Sequence, residues 1–145
     1  MKLEFIKLNP DAIVPTYGTE YAAGADLYAL PEGDIRIEAG ETVLIHTGIA
    51  ISIPEGYAGF IFARSGIATK RGLAPANKVG VIDSDYRGEI TVALHNHSGA
   101  DAIIEPGQRI AQLLICPVMT AGFIQRDALD DTDRGSGGFG STGSK

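Results

Sequence analysis

TVLIHTGIAISIPEGYAGFIFA, running from Thr42 to Ala63, decides the fold class. Two runs rich in β-branched and aromatic residues, TVLIHTGIAISI and GYAGFIFA, flank a Pro-Glu-Gly turn at Pro54 to Gly56. Such side chains suit an extended, pleated backbone, and proline with glycine suits the reversal between them. The same pattern recurs outward in both directions. LEFIK (Leu3 to Lys7) and DIRIE (Asp34 to Glu38) precede it; GEITVALHN (Gly88 to Asn96), RIAQLLICPV (Arg109 to Val118) and GFIQ (Gly122 to Gln125) follow. Between these runs lie turn formers at Pro31 to Gly33, Glu38 to Glu41 and Glu105 to Gly107. No apolar stripe keeps helical spacing over three turns. Only Ser65 to Arg71 reads as a short helix, with the Ser65 hydroxyl as its cap. The chain is expected to be all-β, a sandwich or barrel-like fold.

At 145 residues, with 44% hydrophobic and 21% charged residues, the chain fits one globular domain. No apolar run approaches the roughly 20 residues of a membrane helix. The start, MKLEFIKLNP, lacks the apolar segment of a secretory signal, and a cytoplasmic protein with no membrane partner is expected. The one cysteine, Cys116 in LLICPV, reads as a buried reduced thiol. A net charge of −6 argues against a nucleic-acid surface, which needs clustered Lys and Arg. It leaves room for one small phosphorylated ligand held by a few arginines and a divalent cation. Near Arg126 the composition changes: an acidic patch (Asp130, Asp131, Asp133) leads into RGSGGFGSTGSK. A core over 1–126 and a flexible arm over 127–145 are expected.

Five stretches carry chemistry, each weak alone. AGADLYA (Ala23 to Ala29) sets Asp26 inside a strand-like run, where it could also cap a turn. Arg64, Ser65 and Gly66 close the strand GFIFA and could cradle a phosphate, though the tripeptide is common. GVIDSDYRGEI (Gly80 to Ile90) suggests a hairpin with Asp83 and Tyr86 near its bend. It is either a solvated acidic turn or a carboxylate base beside a ring that packs on a sugar. Arg109 and Gln112 interrupt the apolar strand GQRIAQL, as surface alternation or as a positioned amide for water. The end holds a literal G-x-G-x-x-G, Gly138 to Gly143, but too few residues follow for a dinucleotide-binding helix, and Ser-Lys stands where a P-loop has Lys-Ser. Its glycines can still aim N–H groups at phosphate oxygens. His95 and His97 face one side of a strand without a third ligand nearby, so an exposed strand end is preferred to a metal pair.

The order of these stretches is far more specific than any one of them. AGADLYA, RSG, GVIDSDYRGEI, GQRIAQLLI and RGSGGFGSTG, from Ala23 to Gly143, closely resemble the five motifs of the trimeric dUTPases. The resemblance implies a distorted jelly roll of the β-clip type, assembled as a homotrimer with active sites at subunit interfaces. It implies Mg²⁺-dependent hydrolysis of dUTP to dUMP and pyrophosphate, which limits uracil incorporation into DNA and supplies dUMP for thymidylate synthesis. By resemblance Asp83 activates the attacking water, Gln112 helps hold it, and Tyr86 lies under the deoxyribose. Asn77 and the backbone of Gly80, Val81 and Ile82 read uracil. Arg64, Ser65 and Gly66 serve the phosphates, Arg109 in the fourth motif also binds substrate, and Asp26 stands near the metal through water, with no direct protein ligand. In the arm, Phe139 stacks over uracil, Arg134 reaches the phosphates, and Gly138, Gly140, Ser141 and Thr142 line the terminal phosphate. A dCTP deaminase, which shares fold and part of the motif order, and a non-catalytic nucleotide-sensing trimer remain the alternatives. Release of ammonia from dCTP against pyrophosphate from dUTP separates the first.

Overall fold

The computed structural model describes residues 1–30 and 32–138. In chain order the elements are β1 (Glu4–Lys7), β2 (Thr16–Tyr17), β3 (Ala25–Tyr28), β4 (Ile35–Ile37), β5 (Thr42–His46), β6 (Ile49–Ser52) and β7 (Tyr57–Ala63). After α1 (Ser65–Arg71) come β8 (Leu73–Pro75), β9 (Gly80–Ile82), β10 (Thr91–Asn96), β11 (Ala102–Ile104) and β12 (Arg109–Pro117). Among the described residues the fold is all-β apart from that one helix. A five-stranded sheet of order β2-β3-β12-β7-β9 faces a three-stranded sheet β5-β10-β8 and two pairs, β1-β6 and β11-β4, across a shared core. Every pairing is antiparallel.

Local chemistry explains most of this. Three of the four expected turns are present: the N–H of Glu41 closes on Glu38 O, that of Tyr57 on Pro54 O and that of Gln108 on Glu105 O. The turn expected at Pro31 to Gly33 includes Pro31, which lies outside the described residues. In β10 the residues alternate strictly, with Val92, Leu94 and Asn96 inward. They meet Leu27, Ile45, Ile49, Leu73 and Ile110, all fully buried in the same cluster. Asn96 is the polar exception, and every group on its amide is matched. Its Nδ2 donates to Ile37 O (3.1 Å) and Ala100 O (2.8 Å), and its Oδ1 accepts from Ser98 N (3.0 Å) and Ser98 Oγ (2.7 Å). One side chain thus ties the end of β10 to β4 and to the turn before β11. A buried polar group with all its partners rigidifies a core; the same group missing partners is costly.

Three local expectations need correction. β9 and β10 do not form a hairpin: β9 pairs with β7 and β10 with β5 and β8, so residues 83–90 bridge two sheets. The helix has Arg64 at its N-cap position and no side-chain cap, so the Ser65 hydroxyl does not cap it. GFIQ forms no strand; Phe123 is 99% and Ile124 76% exposed, and the last strand ends at Pro117.

Asn96→Ala should lower the unfolding free energy by about 2–3 kcal/mol, because it removes four hydrogen bonds at once, even though Ser98 Oγ still bonds Ala100 O. Urea unfolding against wild type measures it; a change below about 0.5 kcal/mol, the scale of an ordinary surface substitution, would show that water replaces the amide.

Candidate active site

The pairing of β12 with β3 on one side and β7 on the other builds the first cleft. Gln112 lies opposite Asp26 in β3 and Phe62 in β7, one residue short of the strand end at Ala63. That register gathers Asp26, Arg64, Ser65, Gly66, Arg109 and Gln112 around one depression of about 230 Å³. Asp26 is 8% exposed and anchors it. Its Oδ1 accepts from Arg64 Nε at 2.7 Å and its Oδ2 from Arg109 Nη1 at 3.2 Å. The carboxylate does not cap a turn; it sits in β3 and holds two guanidiniums side by side. Each guanidinium keeps further N–H donors beyond that bond. Gln112 Nε2 donates to Ala63 O at 3.0 Å, which fixes the amide and leaves its Oε1 as an acceptor on the other side. Two arginines, a hydroxyl and an oriented amide over a part-buried carboxylate make a binding surface for an anion.

The second cleft, about 220 Å³, lies between the two sheets that residues 83–90 connect. Asn77, Gly80, Val81, Ile82, Asp83 and Tyr86 line it, together with Ile61, Pro75, Glu89 and Ala93. β9 forms its floor through the β7 pairing (Gly80↔Ile61, Ile82↔Gly59), and its other wall is β10. Asp83 and Tyr86 sit on the bend, where the Tyr86 N–H closes on Asp83 O at 3.2 Å. Tyr86 is 45% exposed, and its Oη donates to Glu89 O at 2.9 Å. The ring lies so close to Gly88 that a Cβ there would come within 2.6 Å of Tyr86 Cζ. The Asp83 carboxylate in this cleft is exposed and makes no hydrogen bond within the described residues. The two clefts have no lining residue in common.

Glu89 was not singled out by its residue type or spacing, although it lies within the quoted GVIDSDYRGEI. Burial penalises its charge, but hydrogen bonds from His46 and from the Gly48 N–H outweigh that and hold the carboxyl below the usual range. Of the arm residues, Arg134 and Gly138 lie among those described. Arg134 Nε donates to Gly137 O at 2.9 Å in an exposed turn, away from both clefts. Phe139, Gly140, Ser141 and Thr142 lie outside the described residues. His95 stacks edge-on against His97 at 4.4 Å, and its Nδ1 meets Thr42 Oγ1 at 2.8 Å. Among the described residues no His, Cys, Asp and Glu gather as a metal-holding group.

A family model described as dUTPase matches residues 10–143, and the chain belongs to that family. Its reaction is the hydrolysis of dUTP to dUMP and pyrophosphate. The chain is 49% identical over 144 residues to the deoxyuridine 5'-triphosphate nucleotidohydrolase of Desulfitobacterium hafniense, covering 99% of this chain and 95% of that one. It is 50% identical over 143 residues to the protein of the same name from Nautilia profundicola, covering 99% of each. Its structure is similar to that of a Staphylococcus bacteriophage 80alpha dUTPase variant with dUpNHpp, with a TM-score of 0.90 at 28% identity over 98% of both chains. A variant dUTPase from phage phi11 of S. aureus, described for its coordination of a structural Mg(II) ion, gives 0.79 at 26% identity over 88% of this chain and 98% of that one.

Asp26→Asn should lower kcat/KM for dUTP roughly ten- to hundredfold, since a hydrogen bond to a charged group carries about 1.5–3 kcal/mol and the amide offers one acceptor for two guanidiniums. Steady-state pyrophosphate release measures it. A wild-type value from a folded variant would mean that the arginines hold their places without the carboxylate.

Proposed function

We propose that the two clefts are complementary halves of a dUTP site: the one around Asp83 and Tyr86 takes the deoxyuridine, and the one around Asp26 takes the triphosphate. The sorting of the side chains carries this reading. Neutral and backbone groups with one ring and one free carboxylate line the first, and paired arginines with a hydroxyl and an amide line the second. Asn77 and the Gly80 to Ile82 backbone meet the polar edge of uracil. Tyr86 packs under the deoxyribose and occupies the space of a ribose 2′-hydroxyl. Arg64, Ser65, Gly66 and Arg109 hold phosphate oxygens.

In this mechanism a water attacks the α-phosphorus, Asp83 accepts its proton, and the bond to the bridging oxygen breaks as pyrophosphate leaves. The Gln112 Oε1, free of the Ala63 bond, orients the water. Charge grows on the leaving oxygens, where guanidinium donors stabilise it with little reorganisation because Asp26 has already fixed them. Asp26 keeps lone pairs beyond the two arginine bonds, so its carboxylate suits the second shell of a cation held by triphosphate oxygens and water. Mg²⁺ bound in that way would neutralise phosphate charge and bring the chain into one conformation.

A homotrimer with sites at subunit interfaces fits the separate clefts. It also fits the apolar residues Phe123 and Ile124, which are 99% and 76% exposed among the described residues. The arm over 127–145 then acts as a lid, with Arg134 and Gly138 joined by Phe139, Gly140, Ser141 and Thr142 over the closed site. Free nucleotide in the cytoplasm is the substrate pool.

Pyrophosphate release from dUTP, dTTP, dCTP and UTP, each with and without Mg²⁺, tests the reading; activity should be confined to dUTP and need the cation. Asp83→Asn should keep the fold and dUTP affinity while kcat falls roughly 10²-fold or more, the size of a general-base contribution. Near-normal turnover would remove Asp83 from the mechanism. A chain ending at Asp133 should keep its melting temperature, since the residues from Arg134 to Gly138 bury nothing in the core, yet lose most kcat/KM for dUTP. An unchanged kcat/KM would make the arm an inert linker.

A further inference from the structure

We propose that Glu89 is a positioning residue for sugar selection, fastening the bend that carries Tyr86 to the turn between β5 and β6. The bend bridges two sheets and has no ladder of its own, so its shape depends on side chains. Glu89 supplies two bonds: Oε2 accepts from His46 Nδ1 at 2.8 Å and Oε1 from the Gly48 N–H at 2.7 Å. Gly48 takes φ +68°, and a Cβ there would come within 2.8 Å of Ala12 Cβ, so this turn admits little else. Beside it the fully buried Thr47 donates through Oγ1 to Ile90 O at 2.6 Å, and the Ile90 N–H bonds Ile49 O at 2.8 Å.

From this fastened point the order passes to the ring. Tyr86 Oη donates to the carbonyl of Glu89 itself, and the ring closes over Gly88 between them. Glu89 also lines the nucleoside cleft, so its backbone and side chain are joined to both the anchor and the wall. Loosening the anchor leaves Tyr86 in place chemically but lets its ring move by the small distance that separates a hydrogen from a hydroxyl at C2′. Exclusion by a wall is only as good as the wall is stiff.

The inference rests on reading Tyr86 as the wall that excludes ribose, and the test keeps the two apart. In the full-length protein, kcat and KM for dUTP and UTP are measured for Tyr86→Ala, Tyr86→Phe, Glu89→Ala, Glu89→Gln, His46→Ala and the pair Tyr86→Phe with Glu89→Ala, with thermal unfolding of each. Glu89→Ala should lower the dUTP-to-UTP ratio of kcat/KM about tenfold, the scale of a lost charge-assisted hydrogen bond. KM for dUTP should rise more than kcat falls. Glu89→Gln should restore most of the ratio, because its oxygen still accepts from Gly48 and its amide can donate to the other tautomer of His46. The pair should cost less than the sum of its members, since both act through one ring. Should Glu89→Ala fail to fold, His46→Ala, which removes one of the two bonds, should still show a smaller fall. A wild-type ratio in folded Glu89→Ala or in His46→Ala, or additivity in the pair, overturns the positioning role. A wild-type ratio in Tyr86→Ala overturns instead the reading of Tyr86 as the wall.

Discussion

Strand β12 pairs on both edges, and that double pairing is the constraint on which the Asp26 cluster depends. Asp26 and Gln112 are far apart in sequence, as are Arg64 and Arg109. They meet because β12 holds β3 along one edge and β7 along the other, with Gln112 opposite Asp26. The register shifts between Arg109 and Ala111 against β3. Arg109 still pairs with Tyr28 before that irregularity, and its guanidinium reaches the Asp26 carboxylate. A register slip by one residue would send Gln112 to the opposite face of the sheet. The apolar residues of β12 oppose such a slip, since Ile110, Ala111 and Leu113 are all buried. Core packing and site geometry are thus set by the same choice of register.

The Asp26 cluster shows how such a site tolerates its charges. A carboxylate at 8% exposure pays a desolvation cost that one ion pair in a low-dielectric setting does not reliably repay. Here two guanidiniums share it, one more exposed than the other. The cluster carries net positive charge, and stability is not its only product. Part of its Coulombic energy becomes available when an anion replaces water above the arginines. Arg134 and Lys70 are cations too, but exposed, and screening leaves them little of that effect.

Sequence carried the long strands and hid the short ones, for a physical reason. Runs such as TVALHN and RIAQLLICP alternate or stay apolar long enough to declare themselves, and the turns between them hold proline and glycine. β2, β8 and β11 are two or three residues long, and no period can be read from so few positions. GFIQ misled because apolar composition records a wish for burial, not a partner; among the described residues nothing covers Phe123. The apparent hairpin at Gly80 to Ile90 failed for a related reason: two strands beside one bend need not pair with each other when other edges compete. For the candidate site, the motif order named residues that line the two clefts, while their contacts were out of reach. That Asp26 would spend both oxygens on arginines, and that Gln112 would bond Ala63 O, depends on register across strands distant in sequence.

Reactive and supporting groups follow opposite rules in this molecule. Asp83, Asn77 and Ser65 are exposed, and their side chains make no hydrogen bond within the described part of the chain. A group satisfied internally would have to break that bond to meet substrate, so leaving it open is what makes it useful. The fold therefore concentrates its fixed hydrogen bonds one residue further back: Asp26 behind Arg64 and Arg109, Ala63 O behind Gln112, and Thr47 with Glu89 behind the bend of Asp83 and Tyr86. Those supports are buried or part-buried, and substrate does not need to displace them. A loop alone would give exposed side chains freedom and cost binding entropy; tied to two sheets at its far end, the same loop presents them nearly in place. The division explains how a short segment with no ladder can present open polar side chains, and why its rigidity resides in the residues behind them.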